Sequence, residues 1–200
     1  MKRQIAILIN ISIFMLFYLP ASLYAGAPLD TVQVNVNKVL EVLRDPKLKA
    51  ASAKEAKKKK LMPIYERMFN DVELSQRTLV KNWGSMNASQ QKEFVQLFRQ
   101  VLAKAYIDKI LAYTDEKIVF DRETMVSGSQ AEVQTRIITS SKEIPITYRV
   151  IKTGSSWKVY DVVIENVSLV LNYRTQFKDI LAKNTIEQLL EILRKKVKGQ

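Results

Sequence analysis

No cysteine and no histidine occur anywhere in the 200-residue chain, and glycine and proline number five each. The first absence excludes disulfides, so the hydrophobic core must carry the stability unaided. Together the two absences exclude cysteine nucleophiles, Ser–His triads and metal sites built on His or Cys. Only carboxylate, lysine or tyrosine chemistry remains, and no closely spaced carboxylate pair stands in an apolar setting. The chain therefore reads as a binding protein, not an enzyme, with no catalytic residue, no metal and no cofactor assigned. Acidic residues are also in short supply: 32 Lys and Arg face 20 Asp and Glu, a formal charge of +12.

The long apolar run of the chain lies at its start. Met1-Lys2-Arg3 is basic, Ile5 to Leu19 is apolar apart from Asn10 and Ser12, and Pro20 to Ala25 ends in small residues. This is the pattern of a secretory signal peptide spanning residues 1–25, with cleavage after Ala25. An uncleaved inner-membrane anchor is the alternative. Residues 26–200 then form a single domain, long enough to bury a core. Loss of Lys2 and Arg3 lowers the formal charge from +12 to +10. A basic exported protein meets anionic lipid headgroups or acidic protein surfaces, whereas nucleic acid is not an expected partner.

Helices come first in the mature chain. Asp30 with Gln33 has capping-box spacing ahead of a stripe of Val32, Val36, Val39, Leu40 and Leu43, and Asp45-Pro46 ends that helix. A second helical region runs from Leu48 to Met68, interrupted by Pro63. Its lysine run, Lys57 to Lys60, is either a solvated face or a contact for lipid headgroups or an acidic partner. Asp71 caps a third helix ending near Trp83-Gly84. Asn87 with Gln90 caps a fourth, whose stripe Phe94, Phe98, Leu102, Tyr106 and Ile110 is either core or a ligand wall.

Strands follow. Lys117 to Phe120 is a short one. Glu132 to Ile138 and Ile144 to Lys152 alternate, placing Val133 and Ile137, then Ile146 and Tyr148, on their apolar faces. Thr153-Gly154-Ser155 turns into a β-branched, aromatic strand from Trp157 to Ile164. Glu165-Asn166 breaks that strand, and a helix carrying Val170, Tyr173, Phe177 and Leu181 follows. Thr185 with Gln188 opens a last helix. The order predicts an α+β fold, an antiparallel four-stranded meander with helices packed on one face. Residue pattern alone leaves open whether the large apolar side chains close on one another or enclose a cavity.

Two stretches resemble the MlaC family. Trp157, Val159, Tyr160, Asp161, Glu165, Val167, Ser168, Tyr173, Arg174 and Phe177 match one signature, with Asn166 where the family has glycine. Trp83, Gln91, Phe94, Phe98, Leu102, Tyr106 and Tyr113 match the second. The resemblance spans about Leu29 to Val197 and implies a periplasmic phospholipid shuttle with an apolar cavity between sheet and helices. It implies phospholipid, an outer-membrane lipoprotein complex and an inner-membrane ABC transporter complex as partners. On it rest the expected lipid-binding residues: Phe94, Phe98, Tyr106, Val133, Ile137, Ile146, Tyr148, Val159, Val170 and Tyr173. Arg149 and Arg174 are candidate rim cations for the headgroup phosphate, or ordinary ion-paired arginines. Two other functions compete: a periplasmic adaptor with a filled core, acting by protein contact, and an enzyme using an Asp or Tyr in the cavity, with Asp161 the candidate to test.

Overall fold

The computed structural model describes residues 27–112 and 116–199. The segment expected to be a signal peptide, residues 1–25, lies outside them, as does Tyr113. The elements run α1 (Ala27–Arg44), α2 (Lys54–Met68), α3 (Asp71–Leu79), α4 (Lys81–Gly84) and α5 (Ala88–Leu111). Then come β1 (Lys117–Ser127), β2 (Gln130–Ile138), β3 (Glu143–Thr153), β4 (Ser156–Ile164) and β5 (Val167–Ser168), and finally α6 (Leu169–Leu181) and α7 (Ile186–Lys198). The strands form one antiparallel sheet in sequential order.

This is the expected α+β architecture, with differences in detail. The sheet has five strands, not four, because Glu165 and Asn166 adopt positive φ of 48° and 67°. Such a two-residue turn matches sheet twist, so the chain returns to pair Val167 and Ser168 with β4 before entering α6. Asn166 thus holds the left-handed conformation at the position where the family carries glycine. β1 runs on to Ser127, well past Phe120. Its solvated, charged continuation hides the strand pattern, and a register shift between Phe120 and Arg122 interrupts the alternation. α1 starts at Ala27, which leaves Asp30 in its first turn instead of at its cap. Asn70, not Asp71, caps α3 by accepting from the Glu73 amide at 3.0 Å.

Two apolar clusters organise the molecule. In the first, α1 lies over one sheet face: Val32, Val36 and Leu40 pack on Ala131, Val133, Ile146, Val150, Val159 and Val162. In the second, α3, α5, α6 and α7 pack together around Phe94, Phe98, Tyr173, Phe177, Leu189 and Leu190. The two meet along β4, which touches α3 and α6. α5 therefore packs on helices, not across the sheet.

One residue is strained. Val80, between α3 and α4, has φ 51° and ψ −121°, a region favoured only by glycine, and is 55 % exposed. Val80→Gly is expected to raise the unfolding free energy by about 1 kcal/mol, strain relief outweighing the added chain entropy. A denaturant midpoint that rises at constant slope is the check; an unchanged or lower midpoint contradicts the strain.

Candidate functional site

The apolar sheet face is built by alternation. Cross-strand neighbours Val133, Tyr148 and Val162 share it, as do Thr135, Ile146 and Ile164, and Ala131, Val150 and Val159. The opposite face carries Glu132, Gln134, Arg136 and Arg149, tied by ion pairs such as Arg136–Asp121 at 2.7 Å and Arg149–Glu132 at 2.9 Å.

Helix α1 covers the middle of the apolar face, with Met68 at the end of α2 and Phe69 after it closing the β4 side, and the dimensions show that α1 cannot cover the rest. Four strands spaced about 4.8 Å apart span roughly 14 Å between outer axes before their side chains are counted, whereas a helix is about 10 Å wide. The uncovered margin is visible as half-buried apolar side chains around α1: Ile118, Phe120, Ile137, Ile144, Tyr148 and Ile164. Full burial of Val32, Val36 and Leu40 holds α1 down with about 5–8 kcal/mol, much of it offset by the entropy of ordering the helix. A hydrogen bond from the Leu29 amide to Glu123 Oε2, 2.8 Å, fixes its first turn to β1.

Two polar atoms, one on α1 and one on β3, have no hydrogen-bond partner among the described residues. Asn35 is 6 % exposed on α1, and its Nδ2 donates to the Thr31 carbonyl at 2.8 Å, but its Oδ1 is buried and accepts nothing. The Tyr148 hydroxyl has no hydrogen bond among the described residues, and burial pushes it up to about 12, so it stays neutral at any physiological pH. Asn35 escaped the sequence reading, although the spacing 32, 35, 36, 39 places it on the apolar stripe of α1.

The ten expected lining residues divide between the two clusters. Val133, Ile137, Ile146, Tyr148 and Val159 belong to the sheet layer. Phe94, Phe98, Tyr106, Val170 and Tyr173 belong to the helical cluster, where Phe98 meets Tyr173 edge-on at 4.9 Å and Phe177 at 5.1 Å. They do not share one space. An enclosed cavity between sheet and helices is not displayed among the described residues. Two open grooves of about 400 and 390 Å³ lie elsewhere, one along Asp71, Trp83 and α5, the other at the α2–α5 corner.

Neither arginine candidate faces the apolar layer. Arg149 lies on the opposite face of the sheet and donates to Glu132 Oε1 at 2.9 Å and Asp161 Oδ2 at 3.2 Å. Arg174 Nε donates to the Arg77 carbonyl at 2.9 Å. Asp161, 2 % exposed, also accepts from Ser168 Oγ at 2.6 Å and from the Val170 amide at 3.0 Å. Its oxygens are thereby committed to pinning the start of α6 onto β4. The carboxyl whose pKa is raised is the half-buried Asp71 instead: loss of water around it pushes it up against the opposing pull of the Tyr65 hydroxyl and Arg99. Nothing in the sequence pattern singles it out, because its burial comes from the packing of α2, α3 and α5. Among the described residues no cluster of carboxylates could hold a metal ion, and no helix is long and apolar enough to cross a membrane.

The profile of the family described as MlaC protein matches residues 33–195. A toluene tolerance protein of Pseudomonas putida, Ttg2D, is 24 % identical over 106 residues, which are 52 % of this chain and 49 % of that protein. The chain thus spans about half the length of the curated relative it matches. A phospholipid-binding protein from Ralstonia solanacearum, solved in complex with a phospholipid, is similar in fold at a TM-score of 0.75. That likeness covers 86 % of this chain and 97 % of that one at 20 % identity.

The Asp161 network is asymmetric, and its variants should be too. Asp161→Ala strands three donors and is expected to lower stability by about 3 kcal/mol, whereas Arg149→Gln leaves Asp161 two partners and should cost about 1 kcal/mol or less. Equal losses in chemical denaturation would contradict the hub role. Asp71 makes a pH prediction. Its folded pKa lies above the ordinary 3.8, so the folded state holds a proton the unfolded state releases, and stability falls as pH rises through that window. Asp71→Asn should therefore gain on the parent protein from about pH 4 upward until the folded carboxyl has ionised. A stability difference independent of pH would refute this.

Proposed function

The chain belongs to the MlaC family, and from that premise we propose that it is a periplasmic phospholipid carrier whose acyl chains occupy the layer between α1 and the apolar face of the sheet. The observation that carries this reading is the mismatch between a four-stranded apolar face and the narrower cover that α1 and the end of α2 lay over it.

Energetics favour the exchange. Two acyl chains of about thirty methylenes resist water by about 25 kcal/mol, several times the 5–8 kcal/mol that holds α1 in place. Chains entering at the half-buried margin replace the contacts α1 gives up as it moves outward, so the apolar face never meets water. The layer stays uncharged, because Tyr148 keeps its proton. Its hydroxyl donates to an ester carbonyl of the lipid, and Asn35 Oδ1 accepts from a donor at the lipid's polar end. The helical cluster, closed around its edge-on and tilted rings, serves as the rigid body against which the layer opens. Residues 1–25 direct export and are removed. The loaded protein then passes phospholipid between an outer-membrane lipoprotein complex and an inner-membrane ABC transporter complex. No step requires a nucleophile, which agrees with the absence of His and Cys.

The close packing of both clusters favours a second reading, an adaptor with a filled core that acts by protein contact. Native mass spectrometry and solvent extraction of protein purified from periplasm separate the two: stoichiometric phospholipid supports the carrier, and its absence supports the adaptor. Asn35→Leu adds a sharper expectation. Removing a buried orphan acceptor should raise the stability of the lipid-free protein by about 1 kcal/mol while lowering the fraction that retains lipid. Unchanged retention would remove Asn35 from the site.

A further inference from the structure

Half of the excess positive charge sits at one end of the molecule. Residues 41–60 and 104–112 contain ten Lys and Arg against four Asp and Glu, +6 of the chain's +12. The fold brings these segments together: Leu43 of α1, Leu61 and Ile64 of α2, and Ile107 and Leu111 of α5 form one apolar cluster. Three of the four acids are matched locally, in Lys54–Asp108 at 2.7 Å, Lys58–Glu55 at 2.8 Å and Lys60–Asp45 at 3.1 Å. Lys47, Lys49, Lys57 and Lys59 form no ion pair among the described residues, though Lys47 lies near enough to Asp45 to act on it, and all but Lys57, which is half-buried, are exposed. Lys49, Lys54 and Lys57 line a groove of about 390 Å³ with Leu111 and Ala112, and Ile110 beside them is 41 % exposed.

We propose that this lysine-rich end docks the protein on an anionic phospholipid bilayer. The residue types select a membrane over an acidic protein. Protein interfaces favour Arg and aromatic anchors and are depleted in Lys, and these segments hold nine lysines against one arginine, with one aromatic, Tyr106, taken up under Lys109 at 5.4 Å. Lysine is a compact charge on a flexible stem, suited to mobile phosphates with no fixed geometry. Exposed Ile110 adds an apolar contact at the headgroup boundary. Docking here rests on the carrier reading for its purpose, since lipid must leave and enter at a membrane, but not for its chemistry.

The test uses the mature protein with vesicles of phosphatidylcholine alone or mixed with phosphatidylglycerol, read by co-sedimentation. The parent protein should bind the mixed vesicles only, and lose them as salt shortens the Debye length from about 30 Å at 0.01 M to about 3 Å at 1 M. Combined Lys49→Gln, Lys57→Gln and Lys59→Gln should weaken binding on the order of a hundredfold, and the three arginine replacements should restore it. Copurifying lipid and denaturation midpoint should match the parent in both variants. Equal binding to uncharged vesicles, or a glutamine variant that binds like the parent, overturns the proposal. Parent protein that binds neither vesicle also overturns it and assigns the lysines to an acidic protein surface. A parent protein without copurifying lipid that still binds mixed vesicles would refute the carrier and leave the docking surface standing.

Discussion

An apolar sheet face must be kept from water, and the width of one helix limits how well this chain does so. A strand order without crossovers puts four long strands side by side, and their alternation sends Val, Ile and Tyr to a single face. α1 is laid over that face, its stripe of Val32, Val36 and Leu40 filling the middle, and Met68 and Phe69 at the end of α2 close the β4 side. The margins stay half-covered. A face of this kind either loses area to water or takes up something apolar to finish the cover. The carrier reading follows from that constraint, joined to the family to which the chain belongs.

The second cluster answers a different need. A layer that opens requires a part that does not. Phe94, Phe98, Tyr173 and Phe177 contact one another at ring distances of 4.9 to 5.8 Å, favourable edge-on and tilted arrangements that fix the helices. Asp161 ties this body to the sheet through Ser168 and the Val170 amide, so the start of α6 cannot drift from β4. Arg77 adds a cation–π contact over the Tyr160 ring at 4.0 Å, joining α3 to the same strand.

Local signals were legible in the sequence, and partnerships were not. Two of the three expected capping boxes, Asn87 with Gln90 and Thr185 with Gln188, form as their spacing requires, because both partners lie within one turn; Asp30 with Gln33 does not, because α1 begins at Ala27. The hairpin at Gly154 and the positive φ of Asn166 are equally local. Periodicity assigned Phe98 and Val133 to apolar faces correctly, but a face does not name its neighbour. That is why residues of two separate clusters were read as one wall. The extent of β1 was missed because a solvated edge strand carries charges that mask its alternation. Asn35 and Asp71 owe their character to tertiary burial, and only their surroundings mark them.

The most direct measurement uses a phospholipid bearing a photoreactive diazirine in one acyl tail, irradiated in complex with the mature protein and mapped by peptide mass spectrometry. The account predicts labels on α1 and on β2 to β4, at residues such as Val36, Val133 and Ile146. Labels confined to α5 and α6, around Phe98 and Tyr173, or no specific labelling, would contradict it.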